Sequence, residues 1–590
     1  MQIDFEPNKS RFIIHCEVWC NDVVMKLPSK RWNKPLRAWV APLLRQNVPV
    51  VREIMAMGGV DSTPAAKKAV TMYEQKAEEV KTGRKVGFPS WYPFKRAPRK
   101  HQARGLAKGY GLEKFALFMD MQTGKSKTAI DLVSAHRIEG HIQGGVVITK
   151  RTLRRNWEHY FDIDCPIPSS VLLPDTGKMK EYERWLGEAH DFKVMIVGWE
   201  SLSLGRMPEM VKRFMRTMLH SFCIGDETTF ITNHKADRSK QAVEISHMAD
   251  YRYALTGSPA LEGPMNLFMQ FEFLDPDIIG IGDFLAFRNR YAIMGGYERE
   301  VRPGLKVATE IVGYQNLDEL METIAPYTFQ VQKTEAYDLP PKRYKRYEIE
   351  LSKQQRVLYD QVKKEQAFTI KGSPEHVIKN ILEVSLRLHQ IAGGYTVKPR
   401  EVTRRLKDGT EVKKVMYDSV ELIIPAKNPK MIEAMNIVEE VKHKKQGIIW
   451  AVYTPEILAL VGLLRKMGLK IGELHGGIPD AERQPMVDEF NEGGVDIIVG
   501  NASTGSMGFP MMAAEWSMFY SNTFKAIDRV QAEDRAWGDG QTKSGVWIDL
   551  LAERTIDYTI LAALEQKQDL AAFVRTRIND IAAVLDGEVK

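Results

Sequence analysis

The feature that most constrains the fold is a pair of separate series in which short apolar runs alternate with helical patterns. The first series comprises FALFM, VVIT, VMIVG, FCIGD and YALTG, between residues 115 and 257. The second comprises GIIWAV, KIGELHG, DIIVG, WSMFY and GVWIDLL, between residues 447 and 551. Strands that alternate with helices in this way are typical of βαβ units stacked around a parallel sheet. The sequence therefore predicts an α/β protein with two parallel-sheet lobes.

The segments outside these two series have a different character. The first 90 residues contain short, aromatic-rich strand patterns, which predict a small α+β or β-rich domain. The region between the series is helical and charged, with a hairpin expected to turn at Asp408-Gly409. A chain of 590 residues has room for several cores. We predict an N-terminal domain over 1–90, a first lobe over 91–275, a helical insertion or linker over 276–425, a second lobe over 426–552 and a C-terminal helical brace over 553–590.

Composition narrows the function classes only modestly. Lysine and arginine outnumber aspartate and glutamate by 83 to 76, a net charge of +7, which permits a polyanionic partner without requiring one. Four cysteines are too few and too scattered for a disulfide framework, which favours a reducing compartment. The N-terminus has no signal-peptide layout, and no apolar stretch is long enough to span a bilayer. We therefore expect a cytoplasmic monomer without a membrane partner; the sequence indicates no particular protein partner.

The segment FALFMDMQTGKSKTAIDLV has the order strand, loop, helix, and it forms the candidate phosphate site. Backbone N–H groups and a helix N-terminus in such a loop point at phosphate, while Lys125 supplies a point charge and the Ser126 hydroxyl a magnesium ligand. Met119 stands where the full P-loop pattern has glycine. The alternative for an isolated Gly-Lys-Ser is a chance surface turn. A register shifted to Lys127 and Thr128 is disfavoured, because Ser126 would replace the glycine before the lysine.

An acidic pair, Asp226-Glu227, ends the apolar run FCIGD. At the end of a buried strand, an aspartate can hold magnesium, and the next glutamate can orient or deprotonate an attacking water. An exposed acidic turn is the alternative for an isolated pair. The phosphate loop, the acidic pair and the segment ALTGSP follow one another in one lobe at ordinary strand spacing. This order favours a site that hydrolyses a nucleotide.

These ordered motifs resemble those of superfamily 2 helicases, and most closely the Swi/Snf-type DNA translocases, including their compact bacterial and phage-like members. The likeness covers about residues 98 to 575. PRKHQARGL resembles the upstream glutamine motif, LRRNWEHYF carries the family's Asn-Trp pair, and ALTGSPALEGP is similar to the coupling motif. GNASTGSMGFP and VQAEDRAWGDGQ are similar to motifs of the second lobe. The resemblance implies two RecA-like lobes, ATP and Mg²⁺ as cofactors, and DNA as partner.

The resemblance also implies roles for the matching residues. The catalytic set is Lys125, Asp226, Glu227 and Arg535, of which Arg535 would supply a cation to the γ-phosphate. Gln102 would read adenine. The further expected residues are Thr123, Gly124, Lys125, Ser126, Lys127 and Gln531 for the nucleotide, Ser126 and Asp226 for the metal, Thr256, Gly257, Ser258, Gly505 and Gly508 for coupling, and Asn156 and Trp157 for nucleic acid.

Some positions depart from the family pattern. Gln122 stands where the phosphate loop usually has glycine, Gly538 where the last motif has its second arginine, and Thr229 where many relatives carry histidine. An arginine finger is typically worth about 10³- to 10⁵-fold in turnover. Either another cation, such as Arg529 or Lys543, replaces the missing arginine, or hydrolysis is slow.

A basic and aromatic segment lies in the N-terminal region. Lys26, Arg31, Trp32 and Trp39 belong to a mixture that can follow a phosphate backbone while stacking on exposed bases. The alternative is that both tryptophans are core residues of a small β domain and that the cations are merely solvated. The segment is weakly similar to the HepA-related (HARP) substrate-recognition domain of annealing helicases.

We therefore expect a DNA-dependent ATPase and double-stranded DNA translocase that remodels or reanneals branched or forked DNA. Phosphate contacts carry no sequence information, so binding should be independent of sequence. Two alternatives remain open. One is a strand-separating helicase that acts on DNA or RNA, and the other is a nucleotide-gated DNA-binding protein with weak or lost hydrolysis.

Overall fold

The computed structural model of the chain divides into two compact units, Met1–Ala336 and Tyr337–Lys590. In the part of the chain that the structure describes, no helix is both long and apolar enough to cross a membrane. The structure describes all residues except 8–10, 17–20, 28–29, 44–46, 82–86, 204, 261–262, 303–304, 368–373, 406–410, 442–445, 506–509, 542–543, 571–572, 574–584 and 586–590.

The first unit begins with a small five-stranded sheet in the order β3-β4-β2-β1-β5. Its strands are β1 Gln2–Glu6, β2 Arg11–His15, β3 Arg31–Asn33, β4 Ala38–Pro42 and β5 Asp61–Ser62, with helices α1 Asn21–Val24, α2 Asn47–Met55 and α3 Pro64–Lys81. Ile3, Phe12 and Ile14 of the sheet pack against Val51 and Ile54 of α2. The mixture of sheet and helices agrees with the expected small α+β region.

A seven-stranded parallel sheet, in the order β14-β6-β11-β10-β7-β9-β8, forms the body of the first unit. Its strands are β6 Lys114–Met119, β7 Gly144–Thr149, β8 Ser170–Leu172, β9 Lys193–Gly198, β10 Ser221–Asp226, β11 Tyr251–Thr256 and β14 Thr328–Val331, and a separate hairpin pairs β12 Ala292–Arg302 with β13 Leu305–Tyr314. The helices of this unit are α4 Lys100–Gly109, α5 Lys125–Ile138, α6 Arg154–Asp164, α7 Met179–Gly187, α8 Met207–Met215, α9 Asp237–Ser246, α10 Leu267–Leu274, α11 Pro276–Ile279, α12 Phe284–Tyr291, α13 Leu317–Ile324 and α14 Lys333–Ala336.

The first parallel sheet is buried on both faces. On β6, Phe115, Leu117 and Met119 belong to one apolar cluster, whereas Ala116 and Phe118 belong to the other. A parallel sheet covered by helices on both sides reads as a continuous apolar run, not as an alternating one. The run FALFM therefore has the composition that its position requires.

The second unit contains a six-stranded parallel sheet in the order β15-β22-β21-β18-β20-β19. Ile449 of β18 faces one apolar cluster, and Ile448 and Trp450 face the other. The strands are β15 Arg343–Ile349, β18 Gln446–Trp450, β19 Ile471–Leu474, β20 Ile497–Gly500, β21 Ala514–Phe519 and β22 Val546–Ala552, and a separate hairpin pairs β16 Tyr395–Arg405 with β17 Glu411–Glu421. The helices are α15 Lys353–Ala367, α16 Pro374–Gly393, α17 Pro429–Val441, α18 Thr454–Lys466, α19 Asp480–Asn491, α20 Ala502–Gly505, α21 Ala526–Arg535 and α22 Ile556–Glu565.

Every predicted run of both series forms a strand, and the α/β class with two parallel-sheet lobes is confirmed. The region from 276 to 425 contributes to both sheets: β14 pairs with β6 in the first unit, and β15 pairs with β22 in the second. The expected hairpin forms between β16 and β17, and its turn at Asp408-Gly409 lies outside the described residues. In the expected C-terminal brace, α22 packs within the second unit through the buried Ile556 and Ile560.

Candidate nucleotide-binding site

The predicted phosphate loop, the acidic pair and the coupling segment ALTGSP meet at the carboxyl ends of three neighbouring strands of the first unit. The loop follows β6, Asp226 ends β10 and Thr256 ends β11, and β11 lies between the other two strands. The crevice outside the carboxyl ends of parallel strands is the usual ligand site of α/β folds. All parallel strands of a sheet end on the same side. The segments that follow these three neighbouring strands therefore lie close together, although they are far apart in the sequence.

The loop between β6 and α5 is shaped by two residues with positive φ. Gly124 precedes the helix at a φ of 87°, and Gln122 has a φ of 64°. At position 122 the family's glycine would adopt this backbone freely, whereas glutamine holds it at some cost. Lys125 begins the helix, and its Nζ donates to the carbonyl oxygens of Met119 at 2.8 Å and Asp120 at 3.2 Å. The lysine ammonium therefore lies over the loop, at the end of β6.

The glutamine motif on α4 supports this loop from behind. Gln102 is buried; its Oε1 accepts from the backbone N–H of Arg99, and its Nε2 donates to the carbonyl of Thr123 at 3.1 Å. The ring of His101 lies 2.8 Å from the same carbonyl oxygen. A Cβ at Gly124 would lie 2.1 Å from the Gln102 Nε2, so this approach requires glycine. The structure thus gives Gln102 a contact with the loop, and its contact with adenine stays a prediction.

Asp226 is buried and held by two indoles. Its Oδ2 accepts from Thr149 Oγ1 and from Trp157 Nε1, each at 2.8 Å, and its carbonyl accepts from Trp199 Nε1 at 2.8 Å. Both side-chain donors bond Oδ2, so among the described residues Oδ1 has no hydrogen-bond donor. Burial raises the pKa of Asp226, whereas the Trp157 N–H and the Lys125 ammonium lower it. This arrangement fixes one carboxylate oxygen and leaves the other for a ligand.

The position of Trp157 corrects one prediction. The side chain was expected to contact nucleic acid, but it is only 1% exposed and packs in the core of the first unit. Its hydrogen bond to Asp226 makes it a positioning residue for the candidate site. Its neighbour Asn156 is half-buried on α6, and its nucleic-acid contact stays a prediction.

Glu227 is held by the coupling segment. The residue has a φ of 58°, an unusual conformation for a side-chain-bearing residue, and its Oε1 accepts from Thr256 Oγ1 at 2.7 Å and from Thr229 Oγ1 at 3.1 Å. The backbone N–H of Ser258 donates to the Thr256 hydroxyl at 3.2 Å. A Cβ at Gly257 would lie 3.4 Å from the carbonyl oxygen of Met119, so the coupling segment also runs beside the phosphate loop.

Lys127 has a different role from the one predicted. Its Nζ forms a 2.6 Å ion pair with Asp131 one turn along α5, and the pair is buried. Tyr92 donates to the same carboxylate at 3.0 Å, and the Lys127 ammonium lies 5.3 Å from the centre of the Phe94 ring. The expected cofactor contact of Lys127 is therefore corrected, because the buried Asp131 carboxylate neutralises its charge. Ser126, by contrast, is half-buried in the first turn of α5.

The predicted residues of the second unit that the structure describes lie on helices that follow its strands. Gln531 and Arg535 are both on α21 and both buried, Arg535 to 1% exposure. Gly505 ends the short helix after β20, and Gly508 lies outside the described residues, as does Lys543. Their functional roles stay predictions.

In this structure, Arg529 cannot replace the second arginine that the last motif lacks at position 538. Its guanidinium is buried in ion pairs with Asp549 and Glu533 and donates to Asn522. Its predicted role as a substitute cation is therefore corrected, because withdrawing it would leave the buried Asp549 carboxylate without its ion pair. Gly538, where the last motif of the family has its second arginine, is itself buried.

The basic and aromatic segment forms one edge of the N-terminal sheet. Trp32 and Trp39 are cross-strand partners whose ring centres lie 5.4 Å apart, edge to face. Trp32 is 49% exposed, whereas Trp39 packs partly against the core of the sheet. Arg31 is exposed, and the exposed Lys26 ammonium lies 3.7 Å from Glu53. The alternative that both tryptophans are core residues is therefore correct in part for Trp39 and wrong for Trp32.

Sequence reasoning missed three residues of the candidate site. Thr149 and Trp199 both hold Asp226, and His101 contacts the loop. Thr149 ends β7, and Trp199 directly follows β9. Their positions at the ends of predicted strands were the available signal.

Two family models match the chain in series. A model of the SNF2-related domain matches residues 101–394, and a model of the helicase conserved C-terminal domain matches residues 427–540. The first match contains the phosphate loop, the acidic pair and Thr256. The second contains Gln531 and Arg535.

Individual relatives are distant. The chain is 21% identical to the TATA-binding protein-associated factor MOT1 of Saccharomyces cerevisiae over 83% of the chain and 28% of that protein. It is 22% identical to an uncharacterized ATP-dependent helicase of Mycoplasma genitalium over 82% of the chain and 42% of that protein. The chain thus spans less than half of the length of either relative. Among solved structures, it matches the Sulfolobus solfataricus SWI2/SNF2 ATPase core in complex with dsDNA at 20% identity and a TM-score of 0.36, covering 85% of this chain and 96% of that one.

Proposed function

The chain belongs to the Swi/Snf-type group of superfamily 2 helicase-like ATPases, and on this basis we propose that it is a DNA-dependent ATPase that translocates along duplex DNA. The observation that carries the proposal is the 2.7 Å hydrogen bond between Thr256 and Glu227. It joins the carboxylate suited to water activation with the segment that the family uses for coupling. Within this proposal, the protein remodels or reanneals branched or forked DNA.

The residues of the first unit have the chemistry that this activity needs. The N-terminus of α5 and the Lys125 ammonium bind the phosphates of ATP. Ser126 and Asp226 offer a hydroxyl and a carboxylate oxygen, the oxygen ligands that Mg²⁺ prefers, and the bound ion would neutralise phosphate charge. Glu227, oriented by Thr256 and Thr229, accepts a proton from the attacking water.

DNA contact is proposed for the edge of the N-terminal sheet. Trp32 offers an exposed ring for stacking, and Arg31 and Lys26 lie on the same segment as cations for phosphate. Phosphate contacts and base stacking of this kind carry no sequence information. Binding is therefore independent of sequence and weakens with rising salt.

Displacement of a triplex tests translocation directly. A third strand bound to a blunt duplex should be released in an ATP-dependent manner by the wild-type chain and not by Glu227→Gln. A long blunt duplex should stay paired in the same reaction, and forked DNA should be converted to its reannealed form. Separation of a DNA or RNA duplex would instead establish the strand-separating helicase. Failure to release the third strand, at a measurable rate of ATP hydrolysis, would refute translocation.

A nucleotide-gated DNA-binding protein with weak hydrolysis is the second candidate. Gln122, at a φ of 64° in the phosphate loop, and the buried Gly538 in the last motif favour it. It predicts that ATP changes DNA affinity while turnover stays negligible. Measurable hydrolysis that depends on DNA and on Glu227 excludes it.

A further inference from the structure

A second cluster of polar side chains lies at the opposite end of α5 from the phosphate loop. His136, Glu139 and His141 each offer one ligand atom, and these atoms lie within 4.8 Å of one another. Within the described ranges, no other group of three histidine, cysteine or acidic side chains converges in this way. The nucleotide site uses none of the three.

The way in which α5 ends explains why the three residues meet. Gly140 adopts a φ of 79° and donates its backbone N–H to the carbonyl of Arg137 at 3.0 Å, and the N–H of His141 donates to the carbonyl of His136 at 2.9 Å. These two bonds define a Schellman motif, which folds the chain back over the last helical turn. The two positions that meet in this motif usually carry apolar side chains. Here both carry an imidazole.

An ion pair between Glu139 and His141 at the surface would not explain why His136 is buried beside them. It is 3% exposed, and neither ring nitrogen has a hydrogen-bond partner among the described residues. Tyr110 stacks on its ring at 5.1 Å between centres, and Tyr251 packs against it at 4.2 Å. A buried polar atom without a partner is uncommon and asks for a ligand, an ion or a water molecule. The ring is therefore held rigidly, with a nitrogen available for coordination.

Glu139 and His141 complete the cluster at the surface. The Nδ1 of His141 lies 3.3 Å from a carboxylate oxygen of Glu139, and both side chains are more accessible than that of His136. In a tetrahedral zinc site, ligand atoms stand about 2.1 Å from the ion, and so about 3.4 Å from one another. Small rotations of the two outer side chains would bring the three atoms to this spacing. The open fourth position would face solvent.

We propose that His136, Glu139 and His141 form a binding site for Zn²⁺ or a similar borderline transition-metal ion. Two imidazoles and one carboxylate favour such an ion over Mg²⁺ or Ca²⁺, which prefer oxygen ligands. The carbonyl end of α5 adds a favourable partial negative charge. The bound ion ties the end of the phosphate-loop helix to the segment that leads into β7, the strand that ends with Thr149. It acts as a structural clamp on the first unit.

Metal titration of the full chain tests the proposal without ATP or DNA. After removal of metals with a chelator, the wild-type chain should take up one Zn²⁺ in competition with a chromogenic zinc chelator. His141→Ala should weaken this binding by at least about 100-fold, the upper end of the effect of removing an outer partner of a ligand. Because His141 is exposed, this substitution should leave the fold intact, whereas His136→Ala would also disturb the tyrosine stack.

A matched control separates this site from ordinary surface binding. His190 lies 3.2 Å from Glu188, also in the first unit, and belongs to no group of three among the described residues. His190→Ala should leave zinc uptake unchanged. Co²⁺ bound to the wild type should show the strong visible absorption of a tetrahedral site, and Zn²⁺ should raise the Tm of the wild type and of His190→Ala but not of His141→Ala. Absence of stoichiometric binding, or binding that His141→Ala leaves unchanged, would overturn the proposal.

Discussion

The hydroxyl of Thr256 donates a 2.7 Å hydrogen bond to the carboxylate of Glu227. The two residues lie side by side because Leu255 of β11 pairs with Asp226 of β10. Thr256 and Glu227 each come directly after one member of this pair, at the edge of the sheet. Glu227 holds a positive φ there, which requires support from its surroundings. The bond therefore connects the end of the coupling strand to the carboxylate proposed to activate water.

Removal of this bond should slow hydrolysis more than it weakens binding. Thr256→Val keeps the volume of the buried side chain but cannot donate to Glu227. A hydrogen bond to a charged group is worth about 1.5–3 kcal/mol, so kcat should fall about 10- to 100-fold with little change in KM for ATP. Steady-state ATPase measurements decide this, with the exposed Thr217→Val as control. An unchanged kcat in a folded Thr256→Val protein would contradict the assigned role.

Trp157→Phe should affect the metal-binding carboxylate and leave DNA affinity unchanged. The substitution removes the indole N–H that bonds Asp226, so the pKa of Asp226 should rise further and a higher Mg²⁺ concentration should be needed for half-maximal ATPase activity. Magnesium titrations of the ATPase and duplex-binding isotherms measure the two effects separately. If Trp157→Phe lost DNA affinity and kept the magnesium dependence of the wild type, Trp157 would be a nucleic-acid contact and not a positioning residue for Asp226.

The strands could be predicted because a parallel sheet buried on both faces imposes continuous apolar runs on the sequence. β8 and β14 were not predicted: β8 is a three-residue edge strand with two half-buried residues, and β14 (Thr328–Val331) is buried only at its two end residues. β14 nevertheless holds the phosphate loop, because the carbonyl of Val331 accepts from the Asp120 N–H and the Asp120 carboxylate accepts from the Lys333 N–H. Such contacts between distant segments leave no local pattern.

The candidate site was predictable in its backbone and less so in its side chains. Strand order placed Lys125, Asp226 and Glu227 at one edge of the sheet, and the structure agrees. The motif comparison assigned Trp157 and Lys127 to ligands, but their partners are Asp226 and Asp131. Spacing along a helix does not reveal whether a polar side chain meets a ligand or a buried carboxylate, because that depends on which neighbouring element packs against it.

Trp32→Ala should weaken binding to DNA with exposed bases. Stacking of one base on an aromatic side chain is worth about 1–3 kcal/mol, so affinity for single-stranded or forked DNA should fall by roughly 5- to 150-fold. Trp91→Ala is the matched control, because Trp91 is 47% exposed in the same unit and lies outside the N-terminal sheet. Fluorescence anisotropy at two salt concentrations measures the difference. Equal affinities for the two variants would refute a nucleic-acid role for Trp32.

Stability of the second unit should depend on the ionisation of Glu456. This side chain is fully buried and accepts from Ser521 at 2.6 Å, and burial raises its pKa to about 7. Between about pH 4.5 and 7 the folded chain holds a proton that the unfolded chain has lost, so the free energy of unfolding falls as pH rises through this window, by up to about 1.4 kcal/mol per pH unit. Glu456→Gln removes this dependence.

Thermal melting across this window measures the effect of Glu456. The Tm of Glu456→Gln minus that of the wild type should increase as pH rises from about 5 to 8. The exposed Glu440→Gln should show a constant difference from the wild type. A pH-independent difference for Glu456→Gln would contradict the titration of a buried glutamic acid.

The most direct test of the central claim is the rate of ATP hydrolysis with and without duplex DNA for the wild type, Lys125→Ala and Glu227→Gln. We predict that DNA stimulates the wild type, that Lys125→Ala loses ATP binding, and that Glu227→Gln binds ATP but hydrolyses it at least about 100-fold more slowly, because no carboxylate accepts the proton of the attacking water. A wild-type rate that no DNA raises, or that Glu227→Gln leaves unchanged, would contradict the account.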